Sequence, residues 1–123
     1  MTETQQMALD LVLILHRSMD WEVWRPKILK YWSVLQEAVA ASAYTNNLAA
    51  WLNSVCSQMS ITTPGATADD RARLEAILNA GEDRAVLRCL RTETQFIVVS
   101  ARVATEARRA EYRARQEQEG EDA

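Results

Sequence analysis

The stretch that decides the fold is residues 82–118, EDRAVLRCLRTETQFIVVSARVATEARRAEYRARQEQ. Nothing in it breaks a helix. Leu87, Leu90, Thr94, Ile97, Ala101 and Ala104 return at steps of three and four, the spacing of one helix face. A continuous helix over this stretch spans roughly 55 Å at 1.5 Å per residue. Phe96, Val99 and Val103 add a second apolar side, so the middle of the helix is expected to pack on two sides. Beyond Ala104 the same steps reach Arg108 and Glu111, where the core is expected to end and the helix to project.

Upstream, the same reading gives more helices. Thr2 with Gln5 forms a capping box for a first helix to about Arg17, through the apolar run Leu11–Leu15. Asp20 is an N-cap, and Pro26 one turn later either kinks a helix or begins a new one. Trp21, Trp24, Ile28, Tyr31, Leu35 and Ala38 share one face. Thr45 can cap a third helix through Leu48, Trp51, Leu52, Val55 and Met59. Residues 60–66, SITTPGA, form a loop, Thr67 with Asp70 begins a short helix carrying Leu74, Ile77 and Leu78, and Gly81 ends it. The expected fold is all-α: a single-domain bundle of about five helices over residues 1–116, with a long C-terminal helix and an acidic disordered tail over 117–123.

Composition agrees. At 123 residues the chain can bury a core without disulfides or metals, and three Gly and two Pro are too few for the tight turns of an all-β fold. Cys56 and Cys89 lie far apart in apolar contexts without metal-ligand spacing, which suggests buried thiols in a reducing cytoplasm. No signal peptide is visible, and Leu11–Leu15 is far shorter than the roughly 20 apolar residues a membrane span needs.

A search for chemistry returns no catalytic set, no metal site and no cofactor motif. His16 is the single histidine, placed where it can cap the last carbonyls of its helix. Asp69 and Asp70 are adjacent, so on a helix they point in different directions. The chain therefore reads as a non-enzymatic binding protein.

Charge is the more informative signal. The net value is -3, yet eight arginines face only three acids between Arg84 and Arg115, a local +5. On a wheel of 100° per residue, Arg84, Arg88, Arg91, Arg102, Arg109 and Arg113 fall within about 40° of one line. A straight row of guanidinium forks suits a phosphate backbone. Arg25, Lys27 and Lys30 form a second basic group around Pro26, with Trp24 and Tyr31 nearby to stack bases. A solvated helix face carries charge too, so the nucleic-acid reading requires these arginines to stand free along one unbroken rod.

Two regions also resemble a known family. One is Asn47-Leu48-Ala49-Ala50-Trp51-Leu52 before the Pro64 loop. The other is Leu74-Glu75-Ala76-Ile77-Leu78, Asp83-Arg84, Leu90-Arg91-Thr92-Glu93-Thr94 and Ala101-Arg102-Val103-Ala104-Thr105-Glu106-Ala107-Arg108. Together they are similar to the late helices of the small helical subunit of multi-subunit CRISPR interference complexes of the type III kind. The resemblance implies a subunit that stacks head to tail among the other subunits of an effector complex. It would brace guide RNA or a single-stranded target, with Arg84, Arg88, Arg91, Arg102 and Arg109 on phosphates and no active site. A competing expectation is a phage or plasmid adaptor or inhibitor that presents Trp21, Trp24 and Tyr31 as an exposed contact face.

Overall fold

The computed structural model describes residues 1–122 and is all-α. Helix α1 spans Glu3–Ser18, and α2, Trp21–Trp24, is a single turn. A 3-10 turn over Arg25–Lys27 then leads into α3, Ile28–Ala40, and another over Ala41–Tyr44 follows it. Then come α4 (Leu48–Gln58), α5 (Ala68–Asn79), α6 (Asp83–Thr92) and α7 (Thr94–Asp122). Among the described residues, no helix is long and apolar enough to cross a membrane.

Helix α1 sits at the centre of the bundle, packed against α5, α6 and α7. Its Leu11, Val12, Ile14 and Leu15 are almost wholly buried, which is why the run is apolar on nearly all sides. The start of α1 is the expected capping box: Thr2 Oγ1 accepts from the Gln5 N–H at 3.1 Å, and Gln5 Oε1 accepts from the Thr2 N–H at 2.8 Å. Asp20 caps α2 one way, its carboxylate accepting the Glu22 and Val23 N–H groups, and Pro26 lies in the 3-10 turn that resets the chain into α3. The face predicted for this region is the core face, with Trp24, Ile28, Tyr31, Leu35 and Ala38 all buried and Trp21, at its start, only half-buried.

Local chemistry departs from expectation at several helix ends. Asn47, not Thr45, caps α4 by accepting the Ala50 N–H at 2.9 Å, while Thr45 Oγ1 holds the Asn47 N–H. The C-terminus of α4 closes with Ile61 N–H on Cys56 O and Ser60 N–H on Ser57 O, so Ser60 takes the left-handed conformation (φ 56°) that glycine usually fills. Gly81 does fill it after α5, at φ 72°. Thr67 accepts the Asp70 N–H, but the Asp70 carboxylate leaves the capping box to take a two-bond grip on Arg17, at 2.8 and 2.9 Å. That guanidinium holds the Asp70 carboxyl below its usual range, and Asp70 in turn raises Arg17. With Arg73 on Asp10 at 2.9 Å, these pairs fasten α5 to α1.

The C-terminal rod is not continuous. It breaks at Glu93, whose φ and ψ of -103° and 23° leave the helical range. The Thr94 hydroxyl donates to Leu90 O and Arg91 O, each at 2.8 Å, and Thr92 donates back to Arg88 O at 2.9 Å. β-branched hydroxyl residues either side of Glu93 thus satisfy carbonyls near the break. The second apolar side is also not packed: Phe96, Val99 and Val103 are 48%, 51% and 66% exposed. Instead α7 docks by Ile97, Val98, Ala101 and Thr105, and stays attached beyond Ala104 through half-buried Arg108 and Tyr112. Where a disordered tail is expected from residue 117, helix continues to Asp122; Ala123 lies outside the described residues.

Candidate nucleic-acid interface

The break divides the six ridge arginines into two sets. Arg84, Arg88 and Arg91 lie exposed on α6, whereas Arg102, Arg109 and Arg113 lie on α7. The expectation of one straight row is therefore overturned, because the peptide turns at Glu93 and wheel angles cannot be carried across it, and the nucleic-acid reading built on that row falls with it; only a different grouping of cations could carry such a reading.

What the fold does assemble is a basic and aromatic cleft between α7 and the segment leading into α3. A hollow of about 370 Å³ is lined by Arg25, Lys27, Lys30, Leu29, Trp32 and Arg109, among others. A second, of about 180 Å³, shares Arg25 and Arg109 and adds Trp21, Tyr112 and Arg113. Arg102 borders the first by lying over the Trp32 ring, 5.3 Å from its centroid. Six cations from separate elements are thus brought together: the second basic group of the sequence and the α7 half of the ridge.

The cations are held by rings as much as by acids. The Arg25 guanidinium lies 4.5 Å over Tyr112, Lys27 Nζ 5.0 Å over Trp24, and Arg108 4.8 Å over Trp21. A ring face orients a cation without cancelling its charge. The acids at the cleft are Glu106, on Arg109 at 3.0 Å, and Glu22, 4.0 Å from Arg25. Arg84, Arg88, Arg91, Arg102 and Arg113 pair with no carboxylate among the described residues. Stacking has a cost at Arg25, whose Nε is buried without an acceptor.

Trp32 is the residue the sequence reading passed over. Its Nε1 donates to Thr105 Oγ1 at 3.3 Å, and that hydroxyl donates to Ala101 O at 2.9 Å, so α7 fixes the ring on which Arg102 rests. Its position one step off the α3 core face was visible; its meeting with α7 was not.

The exposed contact face expected of Trp21, Trp24 and Tyr31 does not form. Tyr31 is fully buried, and Trp24 is buried with Nε1 on Met59 O at 3.1 Å. Trp21 is half-buried under Arg108 and edge-on to Tyr112. None of the three is presented to a partner as an anchor, and Trp24 and Tyr31, buried in the core, offer no ring on which a base could stack beside Lys27 and Lys30.

His16 differs from its expected role as well. Its Nδ1 lies 3.1 Å from the Tyr31 hydroxyl in the core. Burial first, then the Arg108 and Arg17 charges, lower its pKa to about 4, and burial raises that of Tyr31. At neutral pH both are uncharged core groups. Cys56 is buried as expected, but Cys89 is only half-buried and lines a hollow of about 220 Å³ with apolar Met1, Ala8, Phe96 and Ile97 and polar Gln5 and Glu93. Burial, then the Glu93 charge, push the Cys89 thiol up, which keeps it protonated and a poor nucleophile.

Compared with family models, characterised proteins and solved structures, the chain matches none.

Proposed function

We propose that this chain is a non-catalytic nucleic-acid-bracing subunit, and that its cleft holds a sugar–phosphate backbone without reading bases. The observation that carries this reading is the convergence of Arg25, Lys27, Lys30, Arg102, Arg109 and Arg113 around Trp32 and Tyr112, where Glu22 and Glu106 pair with Arg25 and Arg109 and Glu119 lines the adjoining hollow at Trp21 and Tyr112. Forks and ammonium groups suit phosphate oxygens, and the Trp32 and Tyr112 rings serve to orient Arg102 and Arg25 rather than to stack bases. Single-stranded RNA fits this better than a duplex, since a shallow cleft offers no helix for a groove. Membership of an RNA-guided effector complex, beside guide RNA and other subunits, rests on the sequence resemblance alone. The adaptor reading loses its support with the burial of Trp24 and Tyr31.

The test is fluorescence anisotropy with a labelled 30-nucleotide RNA of mixed sequence, repeated with a scrambled one. Equal affinities for both are expected, with a salt slope near -3 for about four phosphate contacts on a single strand. No RNA binding at 50 mM salt, or strong preference for one sequence, would overturn the reading.

A further inference from the structure

The outward face of α7 is the unusual surface of this molecule. A helix docked on a bundle by one side ordinarily shows charge on the other. Here Phe96, Val99, Val103, Ala107, Ala110 and Ala114 fall within about 60° of one line, roughly opposite Ile97, Ala101 and Thr105 on the docked side. All six are exposed. The charged residues lie to either side, with Arg102, Glu106 and Arg113 on one flank and Arg108, Glu111 and Arg115 on the other. The seam is about 27 Å long at 1.5 Å per residue.

We infer that this seam is covered by the same seam of a second copy of the chain, running antiparallel. Two gradients along α7 select that occupant and that direction. Bulk falls from Phe96, Val99 and Val103 to Ala107, Ala110 and Ala114, so an antiparallel pair sets large side chains against small ones along its whole length. Charge changes as well: Glu117 and Glu119 lie at the far end, while the exposed, acid-free Arg84, Arg88 and Arg91 lie on α6, just before the near end. Antiparallel pairing brings the acidic end of each copy towards the basic end of the other. Parallel pairing would set acids beside acids and large residues beside large ones. Antiparallel helix dipoles also oppose one another favourably.

The contact is isologous and closes on itself, unlike the head-to-tail stacking that the family resemblance implies. A single seam of this length is narrow beside the about 800 Å² per partner of a standard interface, so the pairing is a weak, concentration-dependent one. A two-fold axis leaves like flanks on one side, which places the Arg102–Arg113 flank of both copies facing the same way. The inference does not depend on the nucleic-acid reading, because it concerns the protein alone.

The test uses the whole chain without nucleic acid. Sedimentation velocity from 5 to 500 µM should show a monomer–dimer equilibrium that weakens as salt rises. Val99→Glu with Val103→Glu should abolish it, with the helical CD spectrum retained because both positions are exposed. Direction is read by cross-linking in a Cys89→Ser background. Phe96→Cys mixed with Ala114→Cys should form a disulfide-linked pair several-fold faster than either variant alone. A monomer throughout the range, a dimer untouched by the double glutamate, or faster linking of each variant to itself would each overturn the inference.

Discussion

Helices α6 and α7 each carry three arginines along one helical face, yet the fold treats the two sets differently. On α6, Arg84, Arg88 and Arg91 are exposed, and among the described residues none of them lies over a ring or pairs with a carboxylate. On α7, Arg102, Arg109 and Arg113 meet Trp32, Tyr112 and the Arg25–Lys30 segment. A row of arginines on one helix face thus makes a solvated face in one place and a lined cleft in the other. A helix wheel gives the direction of a charge; only a neighbouring element turns that direction into a site.

The largest effect that could break this comparison comes from two triple reversals with the same change in net charge. Lys27→Glu, Lys30→Glu and Arg113→Glu should lower RNA affinity by about 1,000-fold at 50 mM salt, about 4 kcal/mol. Arg84→Glu, Arg88→Glu and Arg91→Glu should lower it by less than about 10-fold. Anisotropy titrations with one RNA measure both, and equal losses would mean that overall charge, not the cleft, does the binding.

Next comes acid. Arg108 of α7 donates to His16 O at 3.4 Å and its charge acts on the His16–Tyr31 pair. The folded protein holds His16 at about 4, below its ordinary 6.5. Between those values the unfolded chain binds the extra proton, so stability is full above pH 6.5 and is lost as pH falls towards 4. The loss approaches about 3 kcal/mol. Denaturant titrations followed by tryptophan fluorescence at pH 7 and pH 4.5 should show it, and His16→Gln should flatten the slope. Hydrogen exchange should locate the first opening in α7 around Arg108 rather than in α6; an unchanged slope in the variant rules out His16 as the cause.

The break at Glu93 offers a smaller test. Thr94→Ala removes the hydroxyl from Leu90 O and Arg91 O and should cost about 1 kcal/mol of stability in thermal or chemical unfolding. An unchanged stability would mean that the break is set by tertiary packing alone.

Much of this fold was legible because its signals are local. The Thr2–Gln5 box, the Asp20 cap and the 3-4 face from Trp24 to Ala38 need only neighbours in sequence. The break was less visible, since Thr92 and Thr94 are tolerated in helices and only their bonds to earlier carbonyls show the chain turning. The outward placement of Phe96, Val99 and Val103 could not be read at all. Their period says they share a face, and apolar composition suggested a core, but nothing local says whether another element arrives to cover it. The cleft was half legible: both basic groups were found, while Trp32, Thr105 and Tyr112, which join them, are separated by up to 80 positions along the chain.

The finest distinction lies between charge and plane at Arg102. Its guanidinium rests over Trp32, a contact worth about 0.5 kcal/mol at an exposed site. Arg102→Lys keeps the charge but cannot lie flat with a planar fork, and Arg102→Gln loses the charge. If the ring only orients a cation towards phosphate, Lys should bind RNA within about twofold of the parent protein and Gln about fivefold worse. If the flat stack presents the fork itself to two phosphate oxygens, Lys should fall to the level of Gln. Either ordering still separates α7 from α6, because Arg88 has no ring beneath it among the described residues and should tolerate both changes with no loss of affinity. Loss at Arg88 equal to that at Arg102 would remove the distinction between the two helices.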